Sequence, residues 1–531
     1  MNKRTLNVLA DDYFQYLGRY LPQQCANDEF YFFPRSETAI QHLNILDDLR
    51  PEKVQDHIRH VRNLLKEIPS EESEDLEEEM DRLFLMQSMK SFIREYADAK
   101  VWRIDPTIYI KIPLFAVDRA LSHIDLSRDL LKRDLLMVFS QIPGFLSLAV
   151  KNFHALSEIS IQVAMDMAQD AFQFHSHNIR TFIREEIGED EELTNKNREI
   201  LEAWERFKNE LAQVPARRSF AIGEDGLKKI LSVSLSYPKS PDEILDAAQH
   251  AYSHTREKLC ALARKIDNRK TWLRIIYENT PSVSSTTEIM QIYQKEVEGL
   301  RGFLTSQDIL SFPPGEEVRV LKTPSYLQSL RATASYASPL TGQTGDRGIF
   351  YITPGKEDLG LMASHCSYLS AHETYPGHHI LDHLRIHHPN PIRRQIESPL
   401  FYEGWACYAE HLLDELGYVK DPRQQLIGLQ RRLWRNLRAI LDIELQTRRT
   451  TLDQAANKIE ALGFPRNRAQ RQVRRFCLTP GYQLCYSVGM QEILRLRKRF
   501  SFQMPLKTFH DTLLSLGQIS FHLAERRLEA E

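Results

Sequence analysis

The chain has 531 residues, 42% hydrophobic and 27% charged, close to the average for folded proteins, which argues against disordered and fibrous classes. Lys and Arg number 69 against 72 Asp and Glu, a net charge of −3, so bulk electrostatics favours neither nucleic acid nor an anionic membrane as a partner. Only 21 residues are glycine, fewer than the roughly 7% of an average chain, and this favours helices over a turn-rich β architecture.

The opening Met1-Asn2-Lys3-Arg4-Thr5-Leu6 runs into Asp11 and Asp12, where a signal peptide needs an unbroken apolar stretch. No 18-residue apolar span is evident further on, so the expected location is the cytoplasm, with no membrane partner. The six cysteines are scattered without a Cys-x-x-Cys pair and read as buried thiols. From about Thr38 to Arg264, apolar residues recur three and four apart, as in Leu43-Leu46-Leu49 and the run Leu130 to Val138, and predict a long helical array. The acidic clusters Glu71 to Glu79 and Glu185 to Glu192 read as solvated helix ends and loops, because nothing apolar surrounds them.

The texture changes between Phe303 and Pro354. Val318 to Leu321 follows Pro313-Pro314-Gly315, and Gly348 to Ile352 follows the Gly/Asp-rich stretch 341–346, so both read as short strands bounded by turns. A helical segment from Lys356 to Tyr375 follows, and helices return from Pro399 to the C-terminus. The expected organisation is a helical N-terminal region, 1–220, then a region, 221–531, that carries the chemistry and a small sheet at about 303–354 beside the active-site helix. The expected fold class is mostly α.

The one dense chemical cluster is His372-Glu373-Thr374-Tyr375-Pro376-Gly377-His378-His379, with Glu403-Gly404-Trp405 downstream. A His-Glu-x-x-His helix sets two imidazoles one turn apart on one zinc and leaves the Glu free as a base. Here the fifth position is Pro376. In an unbroken helix at about 100° and 1.5 Å per residue, His378 would point about 120° away from His372, and His379 would lie about 10.5 Å along the axis. Pro376 removes a donor and clashes with the preceding turn, while Gly377 is free to take positive φ, so the helix should break or bulge here. With two residues looped out, His378 returns to the vacated position; His379 is the alternative. Glu403 is then the natural third ligand, and two His with one Glu make a catalytic zinc set with Glu373 as general base. His387 and His388 read as surface residues, and His365 as a helix-packing one.

These residues resemble the bacterial "domain of unknown function 885" family, grouped with gluzincin-like metallopeptidases. Its blocks stand here as His372 to His378, Glu403 to Glu410, Arg438 with Asp442, and Pro480-Gly481 with Tyr486 and Gly489. Weaker likeness runs back through Tyr336 to about Gly223, so the resemblance covers roughly the C-terminal 300 residues. It implies a mostly helical, gluzincin-like fold with a small sheet, one zinc ion per chain on His372, His378 and Glu403, Glu373 as base, and Tyr486 as donor to the oxyanion of a tetrahedral intermediate. Arg438 and Asp442, four apart, are either an intrahelical ion pair or support for a ligand His. Two positions depart from the family pattern, Gln446 and Tyr482, and either could shift substrate binding. Tyr336 and His379 are further candidates for substrate contact or ligand support.

The leading reading is a cytoplasmic zinc peptidase that hydrolyses short peptides with a metal-activated water. The strand from Val318 to Leu321, or that from Gly348 to Ile352, would offer a sheet edge to the substrate backbone, and the N-terminal helices would wall off a channel. Its rivals are a zinc hydrolase of a non-peptide amide or ester, and a non-catalytic helical protein with a degenerate metal site. A two-His, one-carboxylate set also suits iron or manganese.

Overall fold

A computed structural model describes residues 4–122, 127–328, 331–339, 347–355 and 357–530, so the Gly/Asp-rich stretch 341–346 lies outside the described residues. The described residues are mostly helical with two small sheets, and the chain divides into two compact units, residues 1–220 with 324–330, and 221–323 with 331–531.

The first unit is built on long helices: α1 (Leu6–Tyr20), α2 (Pro51–Glu67), α3 (Leu76–Ile93), α4 (Ile108–Ser122), α5 (Arg128–Asn152), α6 (Glu158–Gln173) and α7 (Glu191–Leu211). Two-residue strands β1 (Leu156–Ser157) and β2 (Ala216–Arg217) pair in parallel. The acidic clusters open helices. Asp75 accepts the Glu78 N–H at the start of α3, and Asp190 accepts the Leu193 N–H at the start of α7, where carboxylates meet the positive helix end. α5 corrects one expectation. It holds an 18-residue window of mean hydropathy 1.3, long and apolar enough to cross a membrane by length and composition alone. Its face of Leu135, Val138, Phe139, Ile142, Leu146 and Ala149 is buried, and the helix packs against α4 and α7.

In the second unit, α8 (Pro241–Ile266) starts at a Ser240–Glu243 capping box, and α9 (Thr286–Gln307) leads towards the larger sheet. That sheet has the order β3 (Val318–Lys322), β5 (Gly348–Ile352), β4 (Ala334–Ala337); β3 is parallel and β4 antiparallel to β5. The expected strands are thus present, with one correction. Gly348–Ile352 is the central strand, paired on both sides, and has no free edge. The edge beside the candidate site is β4, which the sequence reading did not contain.

Four helices frame the site: α10 (Leu359–Glu373), α11 (His378–Ile386), α12 (Pro399–Glu415) and α13 (Pro422–Gln446), followed by α14 (Cys485–Phe500). α12 is buried along most of its length, as a helix apolar on all sides must be, and packs on α10 and α14. It meets α14 glycine to glycine. A Cβ on Gly489 would stand 2.0 Å from the Leu400 carbonyl oxygen, and one on Gly404 2.6 Å from the Gly489 backbone. That close approach brings the segment of Tyr482 and Tyr486 against Glu403.

Candidate metal centre

α10 carries His372 and Glu373 in its last turn and stops there; α11 begins at His378. The helix is therefore interrupted outright at residues 374–377. The part played by Gly377 differs from the expectation: its φ is −75°, not positive. Glycine is required because a Cβ would lie 1.9 Å from the His372 carbonyl oxygen and 2.3 Å from that of Ala371. The Trp405 indole N–H donates to the Pro376 carbonyl at 2.7 Å and ties the break to α12.

The break turns His378 back towards His372, with ring centroids 4.7 Å apart, while Tyr402 stacks on His378 at 4.0 Å. His372 Nε2 and His378 Nε2 lie 3.6 and 3.8 Å from Glu403 Oε2. The ligand atoms of His372, His378 and Glu403 all fall within 4.8 Å of one another, and no other such group of three occurs among the described residues. These spacings are long for hydrogen bonds, but donors about 2.0–2.1 Å from one tetrahedral ion stand roughly 3.4 Å apart. Glu403 Oε2 and His378 Nδ1 are buried without a hydrogen-bond partner. A buried carboxylate oxygen left this way is costly unless a cation meets it, so the donor set fits a divalent ion such as zinc.

Electrostatics separates the two carboxylates. Burial pushes Glu373 up to about 7, helped by repulsion from Glu403 and opposed by His372 and the Tyr336 N–H. Burial also works against the Glu403 charge, yet His372, His378 and the Tyr482 hydroxyl more than offset it and hold that carboxyl at about 2. His378 is depressed to about 3 by burial and by the neighbouring His372. One carboxylate is thus fixed as an anion and the other poised near neutrality, the pattern of a ligand beside a base.

Support for these groups comes from residues far apart in sequence. Glu410, one of the buried carboxylates, sits 3.0 Å from His372 Nδ1 and is gripped by Arg431 and Arg435. Glu410 Oε1 and, at 3.3 Å, Arg435 Nη2 both meet His372 Nδ1, which fixes the ring with Nε2 turned towards Glu403 and His378. Glu410 had no assigned role in the sequence reading, although it lies seven residues after Glu403, on nearly the same helix face. The Tyr482 hydroxyl donates to Glu403 Oε1 at 2.6 Å, which places this departure from the family pattern against a candidate ligand. Burial and the nearby Glu403 charge push the Tyr486 phenol up against the opposing pull of Arg438, whose guanidinium carbon lies 3.6 Å from the Tyr486 ring.

Other candidates go elsewhere. Arg438 and Asp442 form neither of the expected arrangements: Arg438 donates twice to Gln483 Oε1, at 3.0 and 2.7 Å, and Asp442 accepts the backbone N–H groups of Gly481 and Leu484. They hold the loop that carries Tyr482. Gln446 is buried and donates weakly to the Phe476 and Cys477 carbonyls, away from the site. His379 turns away from the three ligand candidates, its Nε2 3.1 Å from Glu316 and its Nδ1 3.3 Å from the Tyr336 hydroxyl. The Tyr336 backbone N–H, on the free edge of β4, donates to Glu373 Oε2 at 3.0 Å. His387 is exposed, and His388 is half-buried on the Ser515 carbonyl.

No curated protein matches this chain. Among solved structures, the fold is similar to a candidate lipoprotein of unknown function from Shewanella oneidensis, at 17% identity and a TM-score of 0.77, with 99% of this chain and 100% of that chain covered. It is also similar to a candidate lipoprotein from Colwellia psychrerythraea, at 18% identity and a TM-score of 0.83, with 98% of each chain covered. An M32 carboxypeptidase from Deinococcus radiodurans R1 aligns at 10% identity with a TM-score of 0.42, over 99% of this chain and 95% of that one. The family match runs well beyond the C-terminal motifs and through most of the helical N-terminal region. The family described as "Bacterial protein of unknown function (DUF885)" matches residues 36–528, and the chain belongs to it.

Proposed function

We propose that this protein is a metal-dependent peptidase that hydrolyses short peptides, with zinc as the preferred ion on His372, His378 and Glu403. The observation that carries this reading is the buried convergence of those three side chains around an unpartnered Glu403 oxygen, with Glu373 poised beside them. A divalent cation held there would supply Lewis acidity to a scissile carbonyl and acidify a water next to it. Glu373 takes the proton from that water on Oε1, the oxygen that Tyr336 leaves free, and returns it to the leaving amine. The outer edge of β4, on which no described strand pairs and whose Tyr336 N–H holds Glu373, is suited beyond that contact to an extended substrate backbone, which favours a peptide over other amides and esters. We assign the Tyr486 phenol, steadied by Arg438 across its face, as donor to the developing oxyanion.

Metal analysis of protein purified without chelator, followed by peptide-library digestion, tests this. The expected result is about one equivalent of metal per chain, and hydrolysis that chelation abolishes and added zinc restores. Cleavage only of non-peptide amides or esters would replace the substrate class. Less than about half an equivalent with the fold intact would favour a non-catalytic helical protein. As to location, two neighbours are described as candidate lipoproteins, which favours the cell envelope over the cytoplasm expected from the sequence. Cell fractionation with detection of the native chain checks this, and a wholly cytosolic pool would restore the cytoplasmic reading.

A further inference from the structure

Glu316 precedes β3, and its side chain is fully buried. Three donors converge on it: Arg301 Nε at 2.7 Å, the Tyr375 hydroxyl at 2.6 Å and His379 Nε2 at 3.1 Å. Burial alone would raise this carboxyl, but His379 and Tyr375 more than offset it and hold it below its ordinary value. Tyr375 and His379 lie on opposite sides of Pro376-Gly377-His378, so one carboxylate grips both ends of the helix break. The grip extends further. With Nε2–H donated to Glu316, His379 Nδ1 is an acceptor for the Tyr336 hydroxyl, and the backbone N–H of Tyr336 holds Glu373. There is little slack in this contact, because a Cβ on Gly348 would stand 2.6 Å from the Tyr336 ring and 2.9 Å from His379 Nδ1.

We propose that Glu316 is a positioning residue of the metal centre: it clamps Tyr375 and His379 so that His378, held between them, faces His372 and Glu403. The proposal rests on the metal-site reading above. It assigns the clamp to an anion because a buried carboxylate can accept from three donors at once, which a neutral side chain of that size cannot do as well.

The test compares the full-length wild type, Glu316→Ala and Tyr375→Phe. Zinc affinity is measured by competition with a chromogenic chelator, ligand geometry by the visible spectrum of the cobalt-loaded protein, and folding by the thermal midpoint of the metal-free protein. Glu316→Ala is expected to weaken zinc binding about 10- to 100-fold and to alter the cobalt spectrum, since partners that orient ligands act on that scale. Tyr375→Phe, which removes one donor, should weaken binding by a smaller factor in the same direction. A folded Glu316→Ala protein with wild-type affinity and an unchanged cobalt spectrum overturns the proposal, even if its thermal midpoint falls, because a purely structural role would produce that pattern. Should Glu316→Ala not fold, Tyr375→Phe decides by the same criterion. A wild type that binds no metal sinks the underlying reading, whereas normal binding by all three proteins sinks this one alone.

Discussion

Replacing Glu373 by Gln is expected to leave the metal content at the wild-type level and to cut turnover by about 10²–10⁴-fold, the usual range for removal of a general base. The substitution isolates the proton. Gln is the same size as Glu, its carbonyl oxygen can still accept the Tyr336 N–H, and Glu373 is not among the three side chains that converge as ligands. What Gln cannot do is hold a proton at the oxygen that Tyr336 leaves open. Turnover of a saturating peptide, measured beside metal stoichiometry, separates the outcomes. Hydrolysis within a few-fold of wild type in the metal-loaded variant would remove Glu373 from the reaction, and loss of metal together with activity would make it a ligand instead.

The second large effect is expected at Gly377. A Cβ there would meet two backbone oxygens, at 1.9 and 2.3 Å, and backbone cannot swing aside as the end of a flexible side chain can. Relieving the overlap means moving the end of α10 away from the start of α11, the motion that separates His372 from His378. Gly377→Ala should therefore cost about 3 kcal/mol or more in overpacking strain. It should also lower metal affinity by at least about 100-fold, beyond what loss of an orienting partner does. Gly302 on α9, where an added Cβ meets nothing within 4 Å, is the control for the same substitution and should be neutral or slightly stabilising. A Gly377→Ala protein that binds metal as tightly as wild type would show that the break tolerates a side chain and that its two helices can separate without parting His372 from His378.

Local chemistry accounts for the features that were legible in the residues alone. Helical periodicity from Thr38 onwards reports which side chains share a face, and that suffices to identify a mostly helical chain. Turn residues around 313–315 and before 348 mark two of the three strands of the larger sheet. Pro113 and Pro143 are carried within α4 and α5, but Pro376 is followed by Gly377, and the pair disfavours a continuous helix strongly enough to make His372, His378 and Glu403 a candidate set. Apart from Glu403, 25 residues beyond His378, these signals act within a few residues along the chain.

The partners that orient those groups lie beyond that range. Glu410 is 38 residues from His372, Glu316 is 63 from His379, and Tyr482 is 79 from Glu403. No periodicity joins such pairs. β4 carried too little alternation to register as a strand, yet pairing with β5 sets its free edge against Glu373. Arg438 and Asp442 are four apart on one helix, but each finds a competing partner in the loop before α14, and the fold, not their spacing, settles the choice. Nearest-neighbour geometry decides where a helix must stop; which long side chain then meets which depends on how the helices pack, because buried polar groups take whatever complementary donor or acceptor the packing delivers.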